Sequence, residues 1–283
     1  MSAPVFAYYY MWMHGNYWHT NKLDHPLQPP GDYSSDDPAV IKLQIKQAQT
    51  AGISGFICSW KNNPWYQKVL PLVMAAANEA GFKLALEYET LNASKIPQSS
   101  AAIIRDLSYF ISNYASNPCW HLINGNPFII IDDTNWYTPA TVSVITSGVK
   151  DRLSILADVP TPALYSKYAS YVDGNAYYWS SQGSVSLRAA QADLTALGQA
   201  VHASKGIWIP SFSPGFNATH IGGKPVVPRN NGLTLQDEHA NALASSPDIM
   251  GLISWNEWTE NTYTEPSVLY GSAAITTLKD LVG

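Results

Sequence analysis

The stretch "DIMGLISWNEWTENTYTEP", residues 248–266, decides how this chain is read. Its first part, 248–255, is a short apolar run of the kind that forms a strand buried on both faces. Its second part sets Glu257 and Glu260 three residues apart, among Trp255 and Trp258. Carboxylates beside indoles at the end of a buried strand are costly to desolvate, so they call for a role. In a continuous strand, residues i and i+3 point to opposite faces. Both acids reach one cavity only if the chain leaves strand geometry near Trp258.

Working outward, runs like this one recur along the chain. Strands are expected at 4–12, 55–60, 82–89, 126–132, 154–159, 171–179, 206–216 and 248–255. Helical patterns lie between them. Asp37 as N-cap and Pro38 as first residue open one helix, with Ile41, Ile45 and Ala48 on its inner face. Others are expected at 65–80, closed by Gly81, and at 99–116 and 139–152. A short one precedes the sixth strand, and the rest fall at 187–203, 233–246 and 271–282. In the 187–203 helix, Leu187, Ala190, Leu194, Leu197 and Val201 share one stripe. Eight apolar strands, each followed by a helix, indicate a parallel sheet covered on both faces. Count and length fit a single (β/α)8 TIM barrel spanning 1–283, with its active site at the C-terminal ends of the strands. An open doubly wound sheet is the structural alternative.

Composition narrows the partners. Only 13% of residues are charged, about half the usual share, while aromatics reach 12% with ten Trp and seventeen Tyr. Such a surface suits neutral sugars, whose rings stack on aromatic faces and whose hydroxyls take hydrogen bonds. The net charge of −5 comes with no basic run, which argues against nucleic acid. No apolar stretch approaches the length of a membrane span. The N-terminal "MSAPVFAYYYMW" carries no basic leader and runs directly into a strand. The chain is therefore expected to be soluble, and extracellular only if a signal has been removed. Cys58 and Cys119 make neither a disulfide framework nor a zinc site, and Cys58 is expected to be a buried hydrophobe. No partner protein is indicated, and a monomer is expected.

In a barrel, catalytic groups come from several strand ends. Strand one offers Tyr8, Tyr10 and Trp12 on one face, and strand two Ser59 and Trp60. Strand three ends in Glu87 and Glu89, again on one face, and strand four in Asp132 and Asp133. Strand six supplies Asn175, Tyr177 and Tyr178. The loop after strand seven carries His220 and Arg229, and strand eight leads into Asn256, Glu257 and Glu260. One carboxylate at a strand end means little; five or more at one mouth indicate a site in which some acids hold their protons. Paired carboxyl groups fit glycoside hydrolysis. Asp132 could equally satisfy backbone donors, and Glu265 is expected to hold the turn before Pro266. The chain has no G-x-S-x-G elbow and no phosphate-binding glycine loop. His14, His19 and His25 lack metal-ligand spacing, so no metal and no cofactor is expected.

Several motifs, in order over nearly the whole chain, resemble glycoside hydrolase family 99 and the wider family 99-like domains. They are "AYYYMWMHGN", "NYWH" followed by "GDYSSDDPAVI", "GISGFICSW", "LEYE", "IPSFSPGFN", "PRNN" and "SWNEWTENTYTEP". The last is similar to an Asn-Glu-Trp-His-Glu-Gly…Glu-Pro signature. The resemblance implies a retaining endo-α-mannosidase-like glycosidase. Glu257 would act as base on the substrate's own 2-hydroxyl, giving a 1,2-anhydro sugar, and Glu260 as general acid/base. It also implies substrate contacts from Trp18, His19, Glu89, Arg229, Asn256 and Trp258, beside Tyr10, Trp12, Trp60, Glu87 and Tyr178 from the strand ends. Thr259 stands where the family usually has His, and Asn261 where it usually has Gly. The chain is short beside the endomannosidases. An oligosaccharide or polysaccharide with α-mannosidic bonds is the first expected substrate. The alternatives are another α-linked polysaccharide and a silent sugar-binding barrel.

Overall fold

The computed structural model describes residues 3–19, 22–92, 94–178, 187–224 and 226–283. Strands β1 (Val5–Tyr9), β2 (Gly55–Trp60), β3 (Lys83–Tyr88), β4 (Asn126–Ile131), β5 (Ser154–Ala157) and β6 (Gly174–Ala176) pair in parallel, each with the next. The seventh strand is broken at Pro210. Its first piece, β7 (Ile207–Ile209), pairs with β6, and the continuation Ser211–Phe212 pairs with β8 (Met250–Leu252). Proline has no N–H to give a ladder, so it is tolerated where the strand changes partners. β8 then pairs with β1, through Val5 opposite Met250, and the sheet closes into a (β/α)8 barrel.

The helices follow the sequence signals. α1 (Pro38–Thr50) starts where Asp37 Oδ1 accepts the Ala39 N–H at 2.8 Å. α2 (Pro64–Ala80) is capped by Asn63 and stopped by Gly81, whose φ of +63° is the left-handed cap glycine favours. α3 (Ser100–Asn113), α4 (Pro139–Ser147), α5 (Pro162–Tyr168), α6 (Leu187–Ala203), α7 (Leu233–Ala244) and α8 (Ala273–Val282) complete the outer ring. α4 ends at Gly148 rather than running on to 152, because a turn takes the chain into β5. Ala190, Leu194, Leu197 and Val201 form the buried stripe of α6; the side chain of Leu187 lies outside the described residues.

Alternation along each strand makes two cores. Val5, Ala7 and Tyr9 of β1, Phe56, Cys58 and Trp60 of β2, and Leu84, Leu86 and Tyr88 of β3 pack outward against the helices. Phe6, Tyr8, Ile57, Ala85, Phe128, Ile130, Leu156 and Ile209 fill the interior as stacked layers. Several strands are shorter than their apolar runs. The sixth is confined to three residues because 171–173 form a turn, and Trp179, expected to end it, lies outside the described residues. Above the last apolar layer the inward positions become polar, and there the mouth begins.

Candidate active site

The chain leaves β8 through a cis Ile253–Ser254 peptide bond and abandons strand geometry at once. Residues 258–261 form a turn, so Glu257 and Glu260 flank a reversal rather than two faces of a strand. The Glu260 backbone N–H bonds back toward the Glu257 carboxylate, and the charge of Glu260 is felt there. Asn261 ends the turn with φ of +56°, a left-handed conformation that Asn adopts more readily than any residue but Gly. That is the physical reason Asn suits a position where glycine would be the other natural choice. Its side chain donates to the Asn217 carbonyl at 2.7 Å, and the Asn217 N–H donates to the Glu260 carbonyl at 2.7 Å. The turn is thereby tied to the wall that follows β7.

Thr259 also has a local role. Its backbone N–H donates to Glu257 Oε1 at 2.8 Å, and its hydroxyl donates to the same oxygen. Burial pushes Glu257 up to about 7, helped by the charge of Glu260, while the Thr259 donors pull it down. Burial raises Glu260 as well. Two close acids in a desolvated site favour one shared proton, and the donors on Glu257 favour leaving it the ionised partner.

A second group of acids sits beside this pair, on β3 to β5. Glu87 is pushed well above the carboxylate range by burial first, then by Asp132 and Glu89. Asp132 is raised by burial first, then by Glu89 and Asp158, and Asp158 is pushed up to about 7 by burial. Asp158, at the end of β5, was not singled out from the sequence, although an acid closing an apolar run was the available signal. It accepts the Tyr178 N–H at 3.0 Å. Glu89 accepts a hydrogen bond from Ser59 at 2.6 Å and faces Lys61 at 3.6 Å. Among the described residues, no group of three or more His, Cys, Asp or Glu is placed to hold a metal ion.

Aromatic side chains line the same mouth. The Tyr10 and Tyr178 hydroxyls meet at 2.6 Å, and Trp12 packs on Tyr10 with ring centroids 4.4 Å apart. Tyr17 and Lys22, whose ammonium lies 3.8 Å above the Tyr17 ring, are close enough to feel the Glu257 charge. Asn256 is fully buried and clips β1 to the loop, accepting from the Tyr10 N–H at 2.8 Å and donating to its carbonyl at 3.0 Å.

Other expected contacts are placed elsewhere. Trp60 is fully buried and points outward, toward Tyr88 and Phe110, because only every second residue of β2 faces the interior. Ser59 takes the inward position. Trp258 is fully buried too, stacked on Tyr263 at 4.0 Å and flanked by Trp18, so it backs the loop without meeting the cleft. Trp18 is buried and donates its indole N–H to the Tyr33 carbonyl at 2.6 Å. His19 is exposed at the end of the 3-10 turn Tyr17–His19. Asn175 is spent on the Val159 backbone, at 3.2 and 3.1 Å. Arg229 is a brace. Its guanidinium donates to the Asn261 and Tyr263 carbonyls at 3.0 and 2.7 Å, stacked between the rings of Tyr263 and Tyr270 at 4.5 and 4.3 Å.

A family model described as glycosyl hydrolase family 99 matches residues 26–280. The chain belongs to this family. As a family 99 chain it is 24% identical over 264 residues to the rat glycoprotein endo-alpha-1,2-mannosidase, covering 84% of this chain and 56% of that protein. The human glycoprotein endo-alpha-1,2-mannosidase-like protein is 23% identical, again over 84% of this chain and 56% of its own length. The family 99 chain thus spans little more than half the length of these relatives. The structure of a GH99 endo-alpha-mannosidase from Bacteroides thetaiotaomicron superposes with a TM-score of 0.87, over 99% of this chain and 96% of that one, at 20% identity. That likeness bears on the fold, and the barrel agrees with it. No helix among the described residues is long and apolar enough to cross a membrane.

Proposed function

We propose that this family 99 glycosidase is a retaining enzyme that cleaves internal α-glycosidic bonds, with α-mannosides first among its substrates. The observation that carries the reading is the turn from Glu257 to Glu260. It sets a buried Glu257 within electrostatic reach of the half-buried Glu260, with both Thr259 donors on Glu257. An ionised Glu257 takes the proton of the substrate 2-hydroxyl, and the freed oxygen attacks the anomeric carbon. The bond to the leaving oxygen breaks as Glu260 delivers its proton there, giving a 1,2-anhydro sugar. Glu260, now ionised, takes a proton from water as that water opens the ring at the anomeric carbon. The oxygen at C2 recovers its proton from Glu257. Two inversions give net retention. The 2-hydroxyl must stand trans to the leaving group, as in an α-mannoside. The aromatic mouth of Tyr10, Trp12 and Tyr178 supports a sugar ligand, and the Bacteroides and rat names support mannose as the first sugar to try.

The test is hydrolysis of a panel of α-linked oligosaccharides and polysaccharides, α-mannans included, by the wild type and by Glu260→Gln. The expected result is release of α-configured product from a mannan by the wild type, with turnover reduced about 10²–10⁴-fold in the variant. Cleavage of a different α-glycan would keep the mechanism and change the substrate. Normal turnover by Glu260→Gln would remove Glu260 from its role, and sugar binding without any cleavage would make this a silent binding barrel.

A further inference from the structure

Glu265 lies five residues beyond the acid pair and is 2% exposed. Burial pushes it up to about 7. Among the described residues no cation acts on it, and its partners are neutral donors. The Tyr33 hydroxyl donates to Glu265 Oε2 at 2.8 Å, and Gln44 Nε2, from α1, donates to Oε1 at 2.7 Å. Gln44 Oε1 in turn accepts the Tyr9 hydroxyl at 2.6 Å. Burying a carboxylate on neutral donors is an expensive way to hold a turn before a proline, which an apolar residue or an amide could do.

What a carboxylate supplies here, and no other side chain does, is direction. An ionised carboxylate only accepts. Both of its oxygens are engaged, so Tyr33 and Gln44 must each donate to it. With its proton committed, the Tyr33 oxygen is left to accept, and Asn256 Nδ2 donates to it at 3.3 Å. The Tyr10 backbone fixes which way the Asn256 amide faces, Oδ1 toward its N–H and Nδ2 toward its carbonyl, and the Tyr33 oxygen takes the remaining Nδ2 hydrogen and holds the amide from the other side. Asn256 is the residue before Glu257, and Tyr10 reaches the opposite side of the mouth through Tyr178. We infer that Glu265 is a positioning residue, which by orienting the Tyr33 hydroxyl anchors Asn256, the residue that ties the start of the acid loop to Tyr10. A glutamine at 265 offers one acceptor where two are needed, so either Tyr33 or Gln44 then faces a second donor.

The inference rests on the reading of Glu257 as the base. It is tested on the substrate that the panel identifies, with Glu265→Gln, Glu265→Asp, Tyr33→Phe and the Gln/Phe double variant, and with Glu257→Gln alongside. Both Glu265→Gln and Tyr33→Phe are expected to lower kcat about 10–100-fold with KM changed less than about threefold, as when groups are displaced from reactive geometry. The double variant should fall no further than the worse single one, because both cut the same chain. Glu265→Asp, which keeps two acceptors, should recover part of the loss. Multiplying losses, or a fall in Tm with kcat unchanged, would reduce Glu265 to a structural role and overturn the inference. Should Glu265→Gln fail to fold, Tyr33→Phe removes a single oxygen and still decides between these outcomes through kcat and KM. Full turnover by Glu257→Gln would instead sink the assignment of the base, a result separable from the behaviour of Glu265.

Discussion

The loops that follow β7 and β8 stand side by side at the mouth, and both are rich in the residues expected of a site. They are built differently. In the loop after β8, every residue from Ile253 to Ser267 is buried except Thr259 and Glu260, which are half-buried. Its polar groups are consumed internally: Ser254 donates to the Thr262 carbonyl, Thr264 to those of Ser254 and Trp255, and Ser254 Oγ takes the Glu257 N–H. The loop after β7 carries a short ladder between Phe216–Asn217 and Val226–Val227, and its tip from Thr219 to Gly222 is exposed. A loop that satisfies its own backbone can be buried and rigid enough to aim two acids; one that projects into water serves as a wall. Arg229 joins the two, since it leaves the wall to bond the backbone of the acid loop.

Cutting that join is the severest way to break the contrast. Arg229→Ala removes two charge-assisted hydrogen bonds and a double ring stack, at a cost of about 2–4 kcal/mol. The acid loop should loosen, so that Tm and kcat fall together. A titration of KM alongside thermal unfolding checks this. A sugar-contacting arginine would raise KM and leave Tm alone, and that result would make the wall part of the binding site.

A finer test stays within the turn. Thr259→Val deletes one donor to Glu257 and keeps the backbone one. The lost donor favours the ionised acid, so its removal should push Glu257 up beyond about 7. In the proposed mechanism Glu257 works as a base when ionised, so the acidic limb of the kcat/KM profile should move to higher pH, by up to about one unit. Activity above that limb should be little changed. A limb that stays in place would mean that Thr259 does not tune Glu257.

The mildest expectation sharpens the contrast from the other side. His220→Ala, on the exposed tip, should change stability by less than about 0.5 kcal/mol. It should leave kcat/KM where it was. A marked loss of activity on a long substrate would show that the tip touches the chain being cut.

Much of this was legible before any coordinates. Period-two alternation put Tyr8, Tyr10 and Trp12 on one face of strand one, and Glu87 and Glu89 on one face of strand three. The same alternation, carried through strand two, separates Ser59 from Trp60 and would have sent the indole outward. The need for Glu257 and Glu260 to share a cavity implied a break from strand geometry, and the turn at 258–261 meets it. Arg229 was harder. A cation in a charge-poor loop resembles a ligand contact, and nothing local reveals two carbonyl partners more than thirty positions away.

By itself, then, the order of residues determined the eight-fold repeat of strand and helix, the caps of α1 and α2, and which strand ends carry acids. These follow from periodicity and from bonds made within a few residues. Only the tertiary structure decided that Glu265 meets Tyr33 and Gln44 across more than two hundred positions, that Trp60 and Trp258 are walled in, and that Asp158 joins the acids of β3 and β4. Those outcomes depend on closure of the barrel, which brings distant strand ends within bonding distance and withdraws water from them together. Desolvation and the choice of a distant partner are properties of that enclosed space, and no local pattern in the chain encodes them.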